Sequence, residues 1–175
     1  KSLRLVQEVY KKNKILGAVA QRDSSVDDPE LQDLYEIGTV AQILKILEMP
    51  DGTTSVIIQG RKRFKINDLF TDKPYHVARI SSLEDAADEP AAESKAVAAA
   101  LKEMAIKIIK FSSNIPTEAT FAIKNIESPS FLINFLASNS EMSLKEKQGL
   151  LENNSVSKRG FALLEHLSKE SQLLE

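Results

Sequence analysis

The side chains able to do chemistry in this chain are few and scattered. The two histidines, His76 and His166, lie far apart, and the 175 residues contain no cysteine and no His-x-x-x-His spacing. These residues therefore assemble neither a zinc shell nor a thiolate nucleophile. His76 is expected on a strand face and His166 on a helix. Ser-Lys dipeptides begin at Ser94, Ser157 and Ser168, but adjacent residues of a helix point in different directions, whereas a nucleophile and its base must meet in a cleft. Asp27 and Asp28 would serve as an acid–base pair only if they converged in a pocket, and their loop is rich in turn formers. The six glycines, at 17, 38, 52, 60, 149 and 160, never precede Lys-Ser or Lys-Thr, so there is no phosphate-cradling loop. No catalytic residue, metal ligand or cofactor-binding residue is assigned.

The densest charge sits in "QGRKRFKI", residues 59–66, with four basic residues around one phenylalanine. One reading makes Arg61, Lys62 and Arg63 nucleic-acid contacts. The other makes the stretch a strand, with Phe64 and Ile66 on the inner face and Arg61, Arg63 and Lys65 in an outer charged row. Alternation favours the second, because a reader of bases needs its aromatic ring exposed. The formal charge of −2 also argues against a protein that coats duplexes by overall positive potential.

Composition bounds the architecture. With 42% hydrophobic and 27% charged residues, the chain can bury a core, and its length suits one large or two small domains. No apolar run approaches the roughly 20 residues that span a bilayer. The lack of cysteine suits a reducing compartment, cytosolic or matrix-like. Helical periodicity is already running at Lys1 and still running at the last residues, so both ends are expected to lie inside a longer protein.

Along the chain, Leu3, Val6, Val9 and Tyr10 mark one face of an amphipathic helix whose opposite face carries Lys1, Arg4, Glu8 and Lys11. "ILGAVAQ", residues 15–21, reads as a strand buried on both faces. A polar loop leads to Gly38. Two β-rich runs then flank Pro50-Asp51-Gly52, a hairpin turn, and Gly60 is expected to make a bulge before two further strands, "RFKINDLF" and "YHVARISSLE". Residues 84–93, "EDAADEPAAE", read as a solvated acidic linker between a β-rich domain at 1–83 and a helical one at 94–175. In the latter, Val97, Leu101, Met104, Ile108 and Phe111 form a seam. Ser128-Pro129 and Ser143 with Glu146 are helix starts, and Phe161, Leu164, Leu167 and Leu174 are expected on the inner side of a final long helix.

The order of features from Asp28-Pro29 through Asp33-Leu34-Tyr35, Gly38-Thr39-Val40-Ala41 and Pro50-Asp51-Gly52-Thr53 to Val56 and Gly60-Arg61 closely resembles the N-terminal domain of Lon-type ATP-dependent proteases. "AVAQRD" upstream and "EKQGLLE" downstream fit the same pattern, so the resemblance covers essentially the whole sequence. It implies an α+β fold: a small PUA-like β-pseudobarrel followed by an all-helical bundle ending in a long helix. Members of the family begin with a proline-bearing strand that has no counterpart here, which would leave one barrel edge unpaired. They continue into an ATPase module, which uses ATP and Mg, and a Ser-Lys peptidase module; neither is present. The resemblance therefore implies a non-catalytic segment that binds unfolded or degron-bearing proteins and supports a homohexameric ring, in the bacterial cytoplasm or the mitochondrial matrix. Lys1, Arg4 and Lys11 are the candidate substrate contacts, together with the exposed sheet edge. A PUA-like nucleic-acid module using Arg61, Lys62 and Arg63 is the alternative.

Overall fold

In the computed structural model the chain divides into two compact units, Lys1–Glu84 and Asp85–Glu175. The structure describes residues 1–71, 73–112, 116 and 118–174.

The first unit is a four-stranded antiparallel meander in the order β1 (Ile15–Ala18), β2 (Ile37–Glu48), β3 (Thr54–Thr71) and β4 (Val77–Leu83), preceded by helix α1 (Ser2–Tyr10). Asp51 and Gly52 make the β2–β3 turn as expected. Gly52 has φ +83°, and the Asp51 carboxylate accepts from the Thr53 N–H at 2.9 Å and the Thr53 hydroxyl at 2.6 Å. The stretch after Gly60 is not a separate strand, because β3 runs unbroken to Thr71. Its register slips instead, with Leu44, Arg61, Asn67 and Phe70 each the extra residue of a bulge. Each slip reverses the inside–outside alternation. That is how Phe64 and Ile66, at even positions, and Leu69, at an odd one, all reach the concave side.

Two expectations for this unit need correction. Strand β1 is not buried on both faces: it is a short edge strand, paired with β2, whose residues alternate between exposed and half-buried because one of its faces lies open. In α1, Leu3 faces solvent and Leu5 turns inward with Val6, Val9 and Tyr10. The sheet leaves little room beside Gly38, where an added Cβ would lie 2.4 Å from the Ala18 carbonyl oxygen.

The second unit packs α2 (Ala91–Phe111), α3 (Glu118–Asn125), α4 (Pro129–Asn139), α5 (Leu144–Glu152) and α6 (Val156–Leu174) around a core that includes Val97, Leu101, Leu132, Ile133 and Leu163. The two expected starts form as read. The Ser128 hydroxyl accepts from the Phe131 N–H ahead of Pro129, and Ser143 with Glu146 closes a capping box. The expected inner faces are partly wrong. Phe111 ends its helix exposed, while Ala98, Ala105 and Ile109 are buried beside Val97, Leu101 and Ile108. On α6, Phe161 and Leu174 are exposed, and the buried stripe is Arg159, Gly160, Leu163, Leu167 and Ser171. The close approach at Gly160 sets this phase, since a Cβ there would lie 2.7 Å from Val97 Cγ1.

The acidic segment 84–93 is built into the structure. Asp85 and Glu89 belong to the helical unit, and α2 begins within the segment at Ala91. The Glu89 carboxylate accepts from the Val156 N–H at 2.6 Å and from the Ser157 N–H, capping α6 from 67 residues upstream. Burial pushes this carboxyl up, but the donors on Ser157, Val156 and Ser155 more than reverse that and leave it below its ordinary range. Arg159, 2% exposed, donates to Asp85 Oδ1 at 2.8 Å, Ser130 Oγ at 3.0 Å and the Asn153 carbonyl at 3.3 Å.

Candidate functional site

The β2–β3 hairpin extends beyond both of its neighbours. Strand β1 covers β2 only at residues 39–42, and β4 covers β3 only at residues 63–71. After the bond from the Ile43 N–H to the Lys14 carbonyl, 2.8 Å, the arm from Leu44 to Ile58 has no strand alongside either outer edge among the described residues. Ile46, Leu47 and Val56 of the arm are half-buried, whereas Leu44, Met49, Ile57 and Ile58 are 50%, 42%, 46% and 44% exposed. Unpaired backbone donors and acceptors beside apolar side chains are what a partner strand needs in order to pair.

Helix α1 presents the first sequence-derived set. Lys1, Arg4 and Lys11 border one shallow depression with Leu3, Gln7 and Glu8. Two of these cations are already engaged. Lys1 Nζ lies 2.5 Å from Asp28 Oδ1 and holds that carboxyl below its ordinary range. Arg4 Nε donates to Glu8 Oε1 at 3.0 Å, and the Tyr75 hydroxyl donates to Glu8 Oε2 at 2.9 Å; both lower the Glu8 carboxyl. Lys11 forms no ion pair among the described residues.

The second set lies on β3. Arg61 and Lys62 are exposed and Arg63 half-buried, and Arg61 Nη2 is held by the Gln42 side chain across the strands. Phe64 is 3% exposed and walls an apolar cavity of about 440 Å³ with Leu16, Val40, Ile66 and Ile80. The ring that would have to stack on a base is therefore inside. His76, expected on a strand face, instead precedes β4 and lines this cavity from the connecting loop. Its Nε2 is 2.9 Å from the Pro29 carbonyl, and its Nδ1 is buried without a partner among the described residues. His166 sits on α6, with Nδ1 3.7 Å from Glu146 Oε1. Among the described residues no group of three or more His, Cys, Asp or Glu side chains is placed to hold a metal ion. No helix among them is long and apolar enough to cross a membrane.

A family model described as the substrate-binding domain of ATP-dependent protease La (LON) matches residues 1–169. The chain belongs to the Lon substrate-binding domain family. It is 48% identical to a Lon protease of Flavobacterium johnsoniae over 176 residues, covering 100% of this chain and 22% of that protein. Against a Lon protease of Cytophaga hutchinsonii the figures are 44%, 100% and 22%. The chain thus spans about a fifth of the length of the curated Lon relatives it matches. The Lon N-terminal fold also recurs in the N-terminal domain of a Mycobacterium avium complex Lon protease, with TM-score 0.69 and 19% identity over 87% of this chain and 90% of that one.

Sequence reasoning missed the apolar arm of this Lon domain. A signal was present: Val56, Ile57 and Ile58 run consecutively, and a strand cannot turn three successive side chains to one side. At least one had to point away from the core.

Proposed function

We propose that this domain captures unfolded or degron-bearing proteins for a Lon-type ATP-dependent protease, in a bacterial cytoplasm, with the β2–β3 arm as its principal contact surface. The observation that carries the reading is the arm's unpaired edges beside exposed Leu44, Met49, Ile57 and Ile58. Clients of varied sequence share a backbone and apolar side chains, and the arm offers a partner to each. Lys11, Lys1 and Arg4 add contacts for acidic or main-chain groups. Each contact is weak, and copies arranged around a homohexameric ring convert weak contacts to avidity while leaving the client releasable. The segment works without a cofactor of its own; ATP, Mg and the Ser-Lys peptidase centre belong to the other modules of the parent enzyme.

The test is fluorescence anisotropy of a permanently unfolded, labelled client against the 175-residue chain. Ile57→Ser with Ile58→Ser should weaken binding about tenfold, the loss of two exposed apolar contacts, and leave the melting midpoint in place. Reversal of Lys1 and Arg4 to Glu should weaken binding less. Unchanged affinity in the isoleucine pair overturns the assignment. Binding of duplex DNA with a steep salt dependence, flattened by Arg61→Ala with Arg63→Ala, would instead support the nucleic-acid reading.

A further inference from the structure

A second binding feature lies within the helical unit. Helices α2, α3, α4 and α6 line an open pocket of about 240 Å³ whose walls include Ala105, Ile108, Ile109, Ile123, Leu136 and Leu167. This falls below the range of about 300–1,000 Å³ that houses a drug-sized ligand, so it suits one side chain rather than a whole small molecule. Among the described residues, three polar ones line it: Asn139, Ser140 and Glu170. The Asn139 amide nitrogen donates to the Phe135 carbonyl at 2.8 Å, and the Ser140 hydroxyl donates to the Ala137 carbonyl at 3.0 Å. One of the two Asn139 amide N–H groups and the Ser140 hydroxyl hydrogen are thus spent on nearby carbonyls, which leaves a guest the acceptor oxygens of both side chains beside the second Asn139 N–H. Among the described residues Glu170 adds the only charge in the lining, and its Oε2 is buried with no hydrogen-bond partner among them. A buried carboxylate oxygen left unmatched is costly, and a guest bearing several N–H donors relieves that cost. Phe135 on the wall stacks on exposed Phe131, centroids 6.4 Å apart, and carries the apolar surface outward.

We propose that this pocket receives a Lys or Arg side chain of an extended peptide, its aliphatic stem along Ile108, Ile109, Ile123 and Leu167 and its cationic head on Glu170. Long basic side chains combine an apolar stem with a multiply donating head, which matches apolar walls closed by acceptors. The inference rests on the reading of the domain as a peptide binder and extends it. Capture by the arm is indifferent to sequence, whereas this pocket selects clients that carry a basic residue among apolar neighbours.

Two acetylated, amidated probe peptides test it against the 175-residue chain: Gly-Leu-Lys-Leu-Gly, and the same peptide with norleucine in place of lysine. Nuclear magnetic resonance titration gives both affinity and location. The lysine peptide should bind about ten- to a hundredfold more tightly than the norleucine peptide, the worth of a hydrogen bond to a charged group, and shift resonances of Ile109, Ile123 and Leu167. Glu170→Gln keeps the shape and should reduce the lysine peptide to the norleucine level, with the helical ellipticity at 222 nm unchanged. Ile123→Ser at the pocket wall should weaken both peptides. Equal affinities of the two peptides, an unaltered lysine affinity in Glu170→Gln, or shifts confined to residues 1–84 overturn the proposal. The unfolded client is titrated separately. If it binds while the peptides are not distinguished, only the pocket falls; if the peptides are distinguished while the client fails to bind, the capture surface falls and the pocket stands.

Discussion

Replacing Asp85 with alanine tests how the helical unit is locked. Arg159 is almost wholly enclosed, and Asp85, at 36% side-chain exposure, is the carboxylate bound to it. Deleting one partner of a buried pair costs about 3–5 kcal/mol, because an uncompensated charge stays behind. Here water reaches the Asp85 side, and Arg159 keeps Ser130 and the Asn153 carbonyl, so the expected loss lies lower, about 2–3 kcal/mol. For a unit of this size that is a fall of about 10–20 °C in the melting midpoint. Two signals separate the units. Tyr10, Tyr35 and Tyr75 all lie in Lys1–Glu84 and the chain has no tryptophan, so tyrosine fluorescence follows the sheet while ellipticity at 222 nm follows mainly the helices. Asp85→Ala should lower the 222 nm midpoint and leave the tyrosine midpoint in place. Adding Arg159→Met should restore more than half of the loss, since no buried charge is then stranded. A 222 nm midpoint within about 2 °C of the parent, or a double variant worse than the single, refutes the reasoning.

Two further outcomes follow from single residues. Because Glu89 has its folded-state carboxyl pKa depressed, its stabilisation is complete above the ordinary carboxylate range and is lost as pH falls through it, from about 5 downward; Glu89→Gln should lower the 222 nm midpoint at neutral pH and flatten its fall on acidification. Gly38→Ala would drive a Cβ into the backbone oxygen of Ala18 and into Phe64 Cζ at 2.8 Å, so the tyrosine transition should drop by about 2 kcal/mol, the usual cost of overpacking, while the 222 nm transition stays in place.

What could be read from the sequence was what neighbouring residues decide among themselves. The hairpin turn at Asp51-Gly52, the Ser128 cap and the Ser143–Glu146 box all form within four residues of chain, and each was legible. Charge runs misled because their partners are remote: Asp85 and Glu89 looked solvated, yet they meet Arg159 and the start of α6 some 67–74 residues later. Helix phase failed on α6 for a similar reason. Phe161 is the more hydrophobic residue, but Gly160 is the one that lets the helix approach Val97, and Arg159 is the one that finds a carboxylate. Bulges at Leu44, Arg61, Asn67 and Phe70 reset the strand alternation without any residue-type signal beyond Gly60. Of the candidate contacts, Lys1, Arg4 and Lys11 were legible as one helix face, whereas the Asp28 partner of Lys1 and the bare β2–β3 arm depended on where the neighbouring strands stop.

Backbone hydrogen exchange of the 175-residue chain, with and without a saturating unfolded client, addresses client capture most directly. Pairing of client backbone along the arm should slow exchange of the outward-facing amides between Leu44 and Ile58, leaving Arg61 to Arg63 unaffected. Client binding with no slowing in the arm, or with slowing confined to Arg61–Arg63, would contradict the account.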